Sequence, residues 1–98
     1  MEENSLEIIK FIQIARKNYK QGNIHQANEI YRKLIKKKIY TYDLLISYGL
    51  FNKDINNLNI AKNLFILSIK KYPSKIKSQR DEIWKTLNSF LQSQNPLF

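Results

Sequence analysis

His25 and Glu29 stand four residues apart in IHQANEIYRKL, a spacing that sets two side chains on one face of a helix, where they could offer two ligands to a metal ion. Two ligands make a weak surface site. His25 is the only histidine, there is no cysteine to supply a thiolate, and further acids are sparse, so no metal is expected. Asp81 and Glu82 are adjacent. Neighbours on a helix point in different directions, so they do not converge as an acid/base pair would. Gly22 and Gly49 are the only glycines, which leaves no glycine-rich loop to cradle a phosphate. Neither enzymatic activity nor a cofactor is expected, and binding is the remaining class of function.

The 98 residues are 43% hydrophobic and 26% charged, which suits one small globular domain with a limited core. Without cysteine, a disulfide-stapled scaffold is not indicated. The opening MEENSLEIIK is acidic and unlike a signal peptide, and no apolar run approaches a membrane span. A cytoplasmic location is therefore expected. The net charge of +9 raises the question of nucleic acid. However, Lys10, Lys17, Lys33, Lys53, Lys62 and Lys85 are spread along the chain, and the clusters Lys36 to Lys38 and Lys70 to Lys71 fall where helices should end. Cations there complement the helix dipole, and nucleic acid ranks below protein as a partner.

The elements that carry these residues all read as helices. Ile8, Phe11, Ile12, Ala15 and Tyr19 have helical spacing, with Asn4 and Glu7 as a capping box and Gly22 as a stop. A second helix is expected over 24–37, capped by Asn23 with Gln26, a third over 42–53 and a fourth over 58–71, halted by Tyr72-Pro73. A fifth reaches about residue 92 with Ile83, Leu87, Phe90 and Leu91 on its covering face. Nothing reads as a strand.

The chain also repeats itself at a step of 34 residues: Phe11 with Leu45, Ile14 with Tyr48, Ala15 with Gly49, Asn18 with Asn52, Ala27 with Ala61, and Tyr31 with Phe65. Self-similarity at a fixed period marks stacked helical arrays. Leu45-x-x-Tyr48-Gly49, Ala61-x-x-x-Phe65 and Pro73, with their counterparts Phe11-x-x-Ile14-Ala15 and Ala27-x-x-x-Tyr31, resemble the tetratricopeptide repeat over about residues 8 to 75. Asn18 and Asn52 stand where that pattern has an aromatic. The resemblance implies an all-α fold, a short α-solenoid of antiparallel helix pairs with about five helices. It implies a single domain over 1–98, with repeat one at about 8–41, repeat two at about 42–75 and a capping helix at about 78–93.

The resemblance further implies a groove lined by the first helix of each repeat, which holds a peptide or helical segment of a protein partner. Carried across, its positions are Ile9, Ile12, Arg16, Tyr19 and Lys20, then Asp43, Ile46, Leu50, Lys53 and Asp54. The basic rim of Arg16, Lys20 and Lys53 favours an acidic or amphipathic segment. The carboxylate clamp of chaperone-binding members is not expected, since Ile12, Arg16 and Ser47 depart from its pattern and only Lys77 agrees. Independently, the first helix carries more apolar surface than one neighbouring helix can cover, which points to a groove or another molecule. The alternative is homo-oligomerisation. Ile66 replaces Arg32 of the first repeat on a stripe otherwise holding Asn59, Lys62 and Lys70, and marks a surface for self-association. A weak, basic attraction to nucleic acid is the third reading, and no membrane association is expected.

Overall fold

In a computed structural model, residues 5–78 and Ser89 are described. They form an all-α, repeat-like arrangement of helix pairs: α1 Ser5–Lys20, α2 Ile24–Lys36, α3 Tyr42–Asp54, α4 Leu58–Lys71 and α5 Pro73–Ser78. Asn4 of the expected first cap, and the capping helix beyond Ser78, lie outside the described residues, Ser89 excepted. Contacts divide the chain into two units, Met1–Ser47 and Tyr48–Phe98, with the break inside α3.

In the first unit α1 and α2 pack side by side, as the short connection between them requires. Ala15 and Ala27 are fully buried, and Tyr31, Leu34, Ile8 and Ile12 fill the space around them. Small residues at these points let backbones approach, and a bulkier side chain would push them apart. Tyr31 continues to the first half of α3, where its hydroxyl and that of Ser47 share a 2.7 Å hydrogen bond. The start of α3 is capped by Thr41, whose Oγ1 accepts from the Leu44 amide at 3.2 Å.

The second unit uses the same positions. Gly49 and Ala61 are buried, and Phe65 takes the place of Tyr31. A Cβ on Gly49 would stand only 2.8 Å from Cδ1 of the Phe65 ring, so the backbone of α3 meets a ring edge that would have to shift to admit a side chain. Ser68, in the place of Leu34, is fully buried and donates its hydroxyl to the Phe65 carbonyl at 2.7 Å. A buried hydroxyl satisfied locally carries little penalty.

The turns explain how each pair is joined. Both α1 and α3 end in a Schellman motif. Gly22 N–H donates to Tyr19 O and Asn23 N–H to Asn18 O, while Asn56 N–H donates to Lys53 O and Asn57 N–H to Asn52 O. The residue in the left-handed region is Gly22 at φ 87° in one and Asn56 at φ 69° in the other, the two types that tolerate it best. A third such end closes α2, with Lys38 at φ 60°. Here Lys38 N–H donates to Ile35 O and Ile39 N–H to Leu34 O.

Two features differ from the sequence reading. The expected capping box of Asn23 with Gln26 does not form, because Asn23 occupies the cap position without a side-chain capping bond. Instead its amide donates back to Oδ1 of Asn18 at 3.4 Å. Pro73 does end α4, but it also begins α5, whereas the next helix was expected only from about residue 78. Proline at the first helical position sacrifices an amide that has no intrahelical partner anyway, and the extended φ of −134° at Tyr72 suits the residue before it.

Candidate interaction site

The open side of α1 is built by helical spacing. Ile9, Gln13, Arg16 and Lys20 recur at steps of four, three and four, which sets them in one row along the helix. Ile8, Ile12 and Ala15 form the adjoining, buried side. Ile9 is 36% exposed, and Gln13, Arg16 and Lys20 are exposed. Gln13, Arg16, Lys17, Lys20 and Gln21 together line a shallow, open depression. Its chemistry is three cations and two amides with no carboxylate, so it can attract and hydrogen-bond an anionic group.

The positions expected to bind are distributed unevenly. The structure brings Arg16 and Lys20 together in that depression and leaves Ile9 exposed beside them in the row. Ile12 and Ile46 are each only 5% exposed, so they have almost no surface left for a ligand and serve the interior. Tyr19 is half-buried and already engaged within the chain. Asp43 is exposed in the first turn of α3. Leu50 and Lys53 belong to the second unit and are half-buried, with Lys53 Nζ 3.8 Å from the Asp54 carboxylate. Ile66 is also half-buried.

The residues first weighed for metal chemistry have other surroundings. His25 is exposed, and Glu29 lies 3.6 Å from Arg32 in a partly exposed ion pair. Among the described residues no group of three or more His, Cys, Asp or Glu could hold a metal, and no helix is long and apolar enough to cross a membrane. Tyr42 is the titratable group with a clear perturbation. Burial pushes its phenol above the usual tyrosine range, and the neighbouring Asp43 carboxylate adds to the effect.

Sequence reading missed the asparagine pairs. Asn18 donates its amide to Ile14 O at 2.9 Å and accepts from Asn23, while Asn52 donates to Tyr48 O at 2.8 Å and accepts from Asn57 at 3.2 Å. The signal was available as Asn, three residues, Gly or Asn, then Asn, recurring at the same 34-residue step. Each pair bridges the turn between the two helices of its hairpin. Comparison with protein-family models, with curated proteins and with solved structures gives no match.

Proposed function

We propose that the chain is a protein-interaction module of the tetratricopeptide-repeat kind, which holds a peptide or helical segment of a partner against the open side of α1. The observation that carries this reading is the exposed row of Ile9, Gln13, Arg16 and Lys20, an apolar anchor followed by an amide and two cations. Such a row suits an extended or helical segment with one apolar residue and acidic neighbours. Leu50 and Lys53 are secondary, since most of their surface is already covered. Binding of labelled acidic, neutral and basic peptides, followed by fluorescence anisotropy, tests it. The acidic peptide should bind most tightly, and Arg16→Glu with Lys20→Glu should abolish that preference while the circular dichroism spectrum stays helical. A preference that survives the double substitution rejects the site.

Self-association is a second reading, favoured by one comparison between the repeats. Where α2 has Gln26, Arg32 and Lys33, α4 has Ile60, Ile66 and Leu67, of which Ile60 is 47% exposed. Apolar residues on an outer face invite cover. Sedimentation of the parent and of Ile66→Glu distinguishes the readings, and a mass that is monomeric in both removes self-association.

A further inference from the structure

Lys10, Gln13 and Lys17 of α1 correspond, by the 34-residue step, to Leu44, Ser47 and Phe51 of α3. On α3 this side is covered: Leu44 and Phe51 are 0% and 4% exposed, and Ser47 between them is the residue reached by Tyr31 of α2. On α1 the same three positions are exposed, with Leu6 and Ile14 beside them also exposed. Where α3 has two buried apolar residues, α1 thus has two exposed cations.

We propose that this second face of α1 docks an acidic amphipathic helix of a protein partner, on the side that corresponds to Leu44, Ser47 and Phe51 of α3. Charge complementarity selects the occupant. Helix α1 carries Lys10, Arg16, Lys17 and Lys20 against the single carboxylate Glu7. Lys10 and Lys17 are seven residues apart, or about 10.5 Å along the axis, which matches two carboxylates two turns apart on a facing helix. Ile14, between them in sequence, and Leu6 offer apolar contact to the same helix. A phosphate backbone has nothing to place on Ile14 and Leu6. A lipid surface prefers a continuous apolar face with cations at its margins, whereas here the cations sit at the centre and the apolar residues at the edges.

This face adjoins the Ile9, Arg16 and Lys20 row and shares Gln13 and Lys17 with the depression there, whereas Lys10 belongs to it alone. The probe is a labelled synthetic helix with leucines at helical spacing and glutamates seven residues apart, titrated onto the full chain by fluorescence anisotropy. Lys10→Glu with Lys17→Glu should weaken it by about tenfold or more. Arg16→Glu with Lys20→Glu should weaken it less than that, since Arg16 and Lys20 stand four residues apart and do not match glutamates seven apart. A probe with every glutamate replaced by lysine should fail on the parent and bind the Lys10→Glu, Lys17→Glu variant. Equal losses in both variants, or no loss with Lys10→Glu and Lys17→Glu, would overturn the proposal. A loss confined to Arg16→Glu with Lys20→Glu would overturn it while supporting the first row. Tighter, Lys10- and Lys17-dependent binding of phosphatidylserine vesicles or duplex DNA than of the acidic helix would also overturn it.

Discussion

The side-chain amide of Asn57 donates to Oδ1 of Asn52 across 3.2 Å, bridging the residue that follows the left-handed turn to the last turn of α3. Asn23 and Asn18 make the same bridge in the first hairpin at 3.4 Å. A Schellman end commonly brings an apolar contact between these two places. Here a hydrogen bond stands in for it, and the backbone at the two following cap residues is nearly identical, φ −86°, ψ 68° at Asn23 and φ −88°, ψ 72° at Asn57.

Loss of the bridge should matter more in the second hairpin. Asn52 is 1% exposed, so Asn52→Ala leaves the Asn57 amide and a cavity and should cost about 1 to 3 kcal/mol. Asn18 is half-buried, and Asn18→Ala should cost about 1 kcal/mol or less, because water replaces the lost partner. Urea unfolding of both variants checks the order, and equal costs would deny the asparagine a special role in α3.

At Gly49 two effects oppose each other. Alanine favours a helix by about 1 kcal/mol over glycine, but its Cβ would press on the buried ring of Phe65, at a cost of about 1 to 3 kcal/mol. Gly49→Ala should therefore destabilise. Its effect should reverse sign in a Phe65→Leu background, and a double-mutant cycle with no coupling would show that the ring yields freely.

Lys38 is the one lysine in the left-handed region among the described residues. A Cβ is disfavoured there by about 1 to 2 kcal/mol, and its amide bond to Ile35 O is retained by any residue but proline. Lys38→Gly should stabilise the chain by about 0.5 to 1 kcal/mol, less than the full relief because glycine's greater freedom in the unfolded state offsets part of it. Thermal melts at neutral pH measure it, and a lower melting temperature would contradict the strain.

Tyr42 ties stability to alkaline pH. Its folded-state pKa is raised, so above about pH 10 the unfolded chain has released a proton that the folded chain still holds. The slope of stability with pH is then negative, and the contribution fully present below pH 10 is lost as pH rises through the folded value. Tyr42→Phe should lessen the decline above about pH 10 relative to the parent. Parallel curves would remove Tyr42 as a cause.

Charging Ile12 should unfold the first unit rather than disturb a ligand. Its 5% exposure means that Ile12→Glu buries an unpaired carboxylate, which costs several kcal/mol, whereas Arg16→Glu keeps its charge in water. Circular dichroism separates them, and a helical, cooperative Ile12→Glu variant would place Ile12 on the surface after all.

Four helix spans were legible to within a few residues because apolar spacing, glycine and proline act locally, and the close-packed places at Ala15, Ala27, Gly49 and Ala61 could be read from residue size at a fixed step. The open side of α1 was legible in part. Arg16 and Lys20 share the depression, yet Ile9 and Ile12, three residues apart and chemically alike, differ as surface and interior. Periodicity counts apolar residues without saying which of two adjoining faces a neighbour will cover.

By itself the sequence determined that this chain is helical, that its helices pair, and that the pairs recur every 34 residues, since each of these follows from local backbone preference and side-chain size. Only the tertiary structure decided that Asn18 and Asn52 clamp the turns, that Pro73 begins a helix, and that Ile12 and Ile46 belong to the interior. The reason is that burial and side-chain hydrogen bonds depend on what lies across from a residue. Ile9 and Ile12 are the same residue type on one helix, and only their surroundings leave one exposed and make the other core.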